Sequence, residues 1–177
     1  MNQNFSQDHF TLFGLPRRFE LDASALEGAW RTAAAEVHPD RYASAGDAEK
    51  RVALMMATRV NEAYQTLKSP LRRARYLLSL SGVDTQEESN TSMPPDFLMA
   101  QMEWRENIEQ AVDDADDAAL DALSRDLAAE AAGLQAHLQA ALDHSGDLDA
   151  ATLLVRKLRF LEKLDQEIGD AIEHLLS

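Results

Sequence analysis

An all-α fold of two units, an N-terminal helical hairpin followed by a C-terminal antiparallel three-helix bundle, is what this sequence predicts, and three observations predict it. The composition is alanine-rich and poor in β-branched residues, with only 7 Gly and 5 Pro in 177 residues, so intrinsic propensity favours helix throughout. Apolar residues recur every three or four positions over long stretches, the spacing of one helix face. Between those stretches stand breaks rich in Pro, Gly, Ser and Asp, the residues that end helices and make turns.

In chain order, Asp22 is placed to cap the first long helix, with Leu21 and Leu26 spaced as a hydrophobic staple across its first turn. Leu26, Trp30, Ala33 and Val37 form its apolar stripe. Pro39 disfavours the helical conformation at His38 and has no N–H to donate, so the helix must stop near His38. His38-Pro39-Asp40 is thereby held at a bend as a rigid polar knob. Past a loop containing Ser44 and Gly46, Val52, Met56, Val60, Ala63 and Leu67 make a second stripe, and the two helices read as an antiparallel hairpin. Ser69 then caps, and Pro70 opens, a short basic helix running to Leu80.

Residues 82–95 hold Gly82, a polar run from Gln86 to Ser92, and Pro94-Pro95, without a helical stripe; they read as a linker between domains at 1–81 and 96–177. The second half carries three stripes. Phe97, Trp104, Ile108 and Val112 share a face of the first helix. Leu120, Leu123, Leu127, Leu134, Leu138 and Leu142 share a face of the second. Leu154, Leu158, Leu161, Leu164, Ile168, Ile172 and Leu175 line the third. Asp113 to Asp117 and Ser145-Gly146-Asp147 supply the turns and caps.

The formal charge of −14 argues against general nucleic-acid binding, and its distribution divides the chain. Through Ser81 there are eleven Lys+Arg against nine Asp+Glu, near +2; from Gly82 onward there are six against twenty-two, near −16. Arg72, Arg73 and Arg75 on the short helix read as a solvated face, not a phosphate site. With no cysteine there is no disulfide, thiolate nucleophile or cysteine zinc site. The five histidines, His9, His38, His137, His144 and His174, lack ligand spacing, so neither a metal, a cofactor nor an enzymatic activity is expected. No apolar run approaches membrane-spanning length and no signal-peptide core or arginine-rich transit segment opens the chain, which points to a cytoplasm and no membrane contact.

The first helix of the second half carries more apolar residues than its core face can hold. At about 100° per residue from Phe97, Trp104 and Ile108 fall within about 20°, but Leu98, Met102 and Met99 fall at about 100°, about 140° and about 200°. Glu106 and Glu109 point the same way and Glu103 flanks them, so the surplus is an apolar patch with an acidic rim. On the third helix Phe160 sits about 90° off the core stripe. Apolar patches with polar edges mark protein contacts, and methionines adapt to a partner surface; the alternative is that these residues pack on the linker, the first domain or the other helices.

Phe10-Thr11-Leu12-Phe13-Gly14-Leu15-Pro16, the capped helix, His38-Pro39-Asp40 and Asn61-Glu62-Ala63-Tyr64-Gln65-Thr66-Leu67 resemble, in order and spacing, the J-domain of DnaJ-type co-chaperones. Phe97 to Glu103 with Arg105-Glu106, and Val155 to Leu164, resemble the C-terminal bundle of the iron–sulfur cluster co-chaperone family HscB, extending the likeness to nearly the whole chain. The resemblance implies two partners. The J-domain would recruit the DnaK-class ATPase HscA through His38, Pro39 and Asp40, and the bundle would bind the cluster-assembly scaffold IscU. Leu98, Met99, Met102 and Phe160 would be the apolar scaffold contacts, with Glu103 and Glu106 on their rim. The mechanism would be tethering plus triggering, with no bond made or broken by this chain.

Two departures from the family pattern bear on these contacts. The helix before the bend is markedly basic in J-domains, yet here it offers only Arg31, opposed by Glu27 and Glu36, so docking would be weaker or would borrow Arg17, Arg18 and Arg41. Gln110 stands where relatives often continue the acidic rim. The alternative function is a general J-protein that binds unfolded clients through the bundle; saturable binding to one folded scaffold separates the two. Mitochondrial members from animals add N-terminal cysteines, so a cysteine-free chain without a presequence fits a bacterial cytoplasm.

Overall fold

The computed structural model describes residues 6–87 and 92–177, and every regular element among them is helical. In order they are α1 (His9–Leu12), α2 (Ala23–Glu36), a 3-10 turn (Pro39–Tyr42), α3 (Asp47–Lys68), α4 (Pro70–Leu80), α5 (Pro95–Asp113), α6 (Asp117–Gln139) continued by a π turn (Ala140–Ser145), and α7 (Leu148–Leu176). The chain divides into two compact units, Met1–Ser81 and Gly82–Ser177.

In the first unit α2 and α3 form the antiparallel hairpin that the stripes predict. Asp22 accepts from the N–H groups of Ser24 and Ala25 at 2.9 and 3.3 Å, filling two of the donors a helix start leaves open. α2 ends at Glu36 with Val37 as its cap, one residue before His38, as the proline requires. The indole of Trp30 stacks on Tyr64 at 4.4 Å and donates to Asn61 Oδ1 at 3.0 Å, pinning the two helices at mid-length. Phe10, Phe13, Leu26, Val37, Met56, Val60, Ala63 and Leu67 make one core. Phe10 reaches it from α1, a single turn capped by Asp8 that periodicity could not resolve. Ser69 and Pro70 open α4 as expected, Ser69 Oγ accepting from Arg72 N–H at 3.2 Å.

One stripe position is corrected: Val52 is exposed and Ala53 takes its place in the core. The two side chains stand about 100° apart around α3, so a shift of one residue in which face is covered exchanges them.

In the second unit α5, α6 and α7 pack against one another as the expected bundle. Leu120, Leu127, Leu134 and Leu138 of α6 face Val155, Leu158, Leu161, Leu164 and Ile168 of α7 across a fully apolar centre. Leu123, Leu142, Leu154, Ile172 and Leu175 lie half-buried at its margins. On α5 the stripe is again displaced by one residue at its end, Ala111 being buried and Val112 exposed. Ala115 stands at φ 51 beyond α5, and the Asp116 N–H reaches back to the Ala111 carbonyl at 2.9 Å. Gly146 ends the π turn at φ 66 with the same wrap-back, Asp147 N–H to Ala141 O at 3.0 Å, and Asp147 then caps α7. Part of the stretch read as a linker is packed: Thr85 is only 3% exposed and its carbonyl accepts from Arg156 Nε of α7 at 2.9 Å. Residues 88–91 of that stretch lie outside the described residues.

Candidate functional site

Two surfaces, one on each unit, carry the residues singled out above. The first is the turn after α2. Pro39 opens a single 3-10 turn, the position where its fixed φ and missing N–H cost nothing. His38 is the cap of that turn: its Nδ1 accepts from the Asp40 N–H at 3.2 Å, and its carbonyl accepts from the Arg41 N–H at 3.0 Å. With Nδ1 used as an acceptor, the neutral imidazole carries its proton on Nε2. The Asp40 carboxylate lies 3.6 Å from His38 Nδ1 and is 92% exposed.

His38, Pro39, Asp40 and Arg41 are therefore presented together on the surface in a hydrogen-bonded turn. Arg31 is exposed on α2 but is held by Glu27, one turn earlier on the same helix, at 2.5 Å. That partner, named from sequence as opposing charge, reduces what Arg31 can offer elsewhere. Arg17 and Arg18 are also exposed. Sequence reasoning missed Tyr42, whose hydroxyl donates to the Glu36 carbonyl at 3.3 Å, because no local pattern announces a tyrosine bonding six residues back.

The second surface is the outer face of α5. Leu98, Met99 and Met102 are 42, 72 and 64% exposed, three large apolar side chains on one helix face, bordered by exposed Glu103, Glu106 and Glu109. An apolar group left in water by a chain with a well-filled core is the signature of a contact surface. Phe160 behaves differently from the expectation of a free contact residue. It is half-buried, meeting the Phe97 ring edge to face at 5.9 Å and 78°, with the Arg105 guanidinium 5.4 Å over its ring. Arg105 is in turn bonded to Glu167 at 3.1 Å, and Phe97 meets Trp104 at 6.1 Å and 74°. The structure thus brings Leu98, Met99, Met102, Glu103 and Glu106 together on α5, while Phe160 joins them from α7 through Phe97. Arg105 was not expected in this role; its contacts lie across helices and have no sequence signal.

Among the described residues no group of three or more His, Asp or Glu is placed to hold a metal ion, and no helix is long and apolar enough to cross a membrane.

Comparison with known proteins identifies the family. A family model described as the HSCB C-terminal oligomerisation domain matches residues 93–169. The chain is 71% identical over 176 residues to the co-chaperone protein HscB homolog of Chromobacterium violaceum, covering 99% of each, and 55% identical over 172 residues to that of Paraburkholderia phymatum, covering 97% of this chain and 98% of the relative. Among solved structures it resembles the chaperone HscB from Vibrio cholerae, with a TM-score of 0.83 and 41% identity over 96% of this chain and 99% of that one. It resembles human co-chaperone protein HscB with a TM-score of 0.88 and 27% identity over 94% of this chain and 82% of that one. With such identity sustained over nearly the full length of both chains, this protein belongs to the HscB family of co-chaperones.

Proposed function

We propose that this chain holds an iron–sulfur scaffold protein of the IscU type on its C-terminal bundle and presents it to a DnaK-class ATPase of the HscA type, stimulating ATP hydrolysis and promoting cluster transfer. In this reading residues 1–81 are the chaperone-facing J-domain, 82–95 the connection, and 96–177 the scaffold-binding bundle. Leu98, Met99, Met102 and Phe160 make the apolar scaffold contact and Glu103 and Glu106 its acidic rim. His38, Pro39 and Asp40 make the chaperone contact, aided by Arg41 and, less, by Arg31. Bacterial relatives support a bacterial cytoplasm as the location.

The observation that carries the proposal is the pairing, in one chain of this family, of a hydrogen-bonded exposed turn that presents the Asp40 carboxylate with an exposed apolar face on the other unit. Holding both partners raises the effective concentration of one for the other. The turn acts by binding better to the chaperone state that hydrolyses ATP, which shifts its population. Asp40 supplies a charge for a basic group of the chaperone, and Pro39 sets its direction.

Two variants test the halves separately. Leu98→Ala with Met99→Ala lowers scaffold affinity in titration calorimetry and leaves basal ATPase stimulation intact; unchanged affinity would remove the α5 face from the reading. Asp40→Asn abolishes stimulation while scaffold binding persists; full stimulation by that variant would refute the turn's role.

A further inference from the structure

We infer that Tyr42 is a positioning residue for Asp40, its hydroxyl bracing the far end of the turn against α2; this rests on the reading of the turn as the chaperone contact. The turn is exposed at all four residues from His38 to Arg41, and an exposed loop ordered only on docking would lose affinity to the entropy of ordering. Its near end is fixed by the Pro39 ring and by His38 Nδ1 on the Asp40 N–H. Neither device reaches the last residue. Tyr42 does: it is half-buried, and its hydroxyl donates to the Glu36 carbonyl, one of the final α2 carbonyls that have no partner within their own helix. Asp40 lies midway, two residues after one brace and two before the other, so both must hold for its carboxylate to keep one direction.

Removing only the hydroxyl leaves the ring packing in place and frees the turn's far end. Asp40 then spends part of its time in other directions, and the apparent affinity for the chaperone falls by the fraction of turns still competent. Once docked, the same contact forms, so the maximal effect is retained.

The test is full-length Tyr42→Phe titrated into a DnaK-class ATPase of the HscA type. The concentration for half-maximal stimulation rises about threefold to tenfold, the range one neutral hydrogen bond spans, with an unchanged plateau. Amide hydrogen exchange at Asp40 accelerates while exchange within α2 and α3 and scaffold affinity stay as they were. Wild-type half-saturation with wild-type exchange at Asp40 would overturn the inference, as would a lowered plateau accompanied by a lowered melting temperature, which marks a purely structural role. Asp40→Asn in the same assay separates the levels. If it stimulates fully, the docking reading has failed; if it is silent while Tyr42→Phe matches wild type, only the bracing role has.

Discussion

The ring of Phe160 on α7 meets the ring of Phe97 on α5 edge to face, 5.9 Å between centroids. Phe97 is a core residue and Phe160 is half-buried, so the aromatic that wheel geometry turns toward a partner is also part of what holds α5 on the bundle. In the proposed reading, structure and scaffold binding are coupled at that one residue of the patch, and uncoupled at its methionines.

Truncations at the two kinds of position therefore separate. Phe160→Ala loses an aromatic pair worth about 1 kcal/mol beyond its buried area. With the area included, unfolding free energy falls by roughly 2 kcal/mol, below the cost at a fully buried site, and scaffold affinity falls as well. Met99→Ala, at a side chain 72% exposed, changes stability by less than about 0.5 kcal/mol and weakens scaffold binding. Urea unfolding beside titration calorimetry reads both, and equal stability losses would contradict the division.

The bond from Trp30 Nε1 to Asn61 Oδ1 makes a similarly local prediction. Asn61→Ala removes the acceptor from an indole that also stacks on Tyr64 and packs against the core, at a cost of about 1 kcal/mol. Asn61→Asp keeps an acceptor oxygen and holds within a few tenths of wild type. Chemical denaturation of the two variants side by side decides it.

What the sequence disclosed follows the range of the physics involved. Pro39 acts on its own peptide and its neighbour, so an end of α2 near His38 was legible. So were the caps at Asp22 and Ser69, which bond within three positions. The exposed face of Leu98, Met99 and Met102 was legible because helical rotation alone separates it from Phe97 and Ile108. Val52 and Val112 were not, since which side of a helix end is covered depends on where its neighbour stops. The half-burial of Phe160 under Arg105 and the tie from Tyr42 to Glu36 were hidden for the same reason: each is decided by a partner that helical spacing does not bring alongside.

Gly28 offers a gain in stability. It sits in the interior of α2, where glycine costs about 1 kcal/mol relative to alanine through backbone entropy. A Cβ built there meets nothing within 4 Å, so no packing reason opposes the exchange. Gly28→Ala raises the unfolding free energy by about 0.5–1 kcal/mol without altering ATPase stimulation. A loss of stability in thermal melts would show that some feature of the helix needs the glycine.

His9 makes stability depend on pH. Its ring stacks on Tyr76 at 4.3 Å, and its Nδ1 is buried with no hydrogen-bond partner among the described residues. Burial disfavours the imidazolium and holds the pKa below the ordinary 6.5; Arg59 adds to that, while Glu62 and Asp8 oppose it. A depressed histidine pKa means that the unfolded chain takes up the proton first as pH falls. The contribution is thus fully present above about pH 6.5 and is lost as pH drops through the interval down to the folded value. His9→Phe keeps a ring against Tyr76 but has nothing to protonate. Its stability relative to wild type therefore improves as pH falls below about 6.5 in urea titrations, whatever the surrounding carboxylates contribute to both proteins. A difference between the two that stays constant across that interval would show that His9 is not the titrating group.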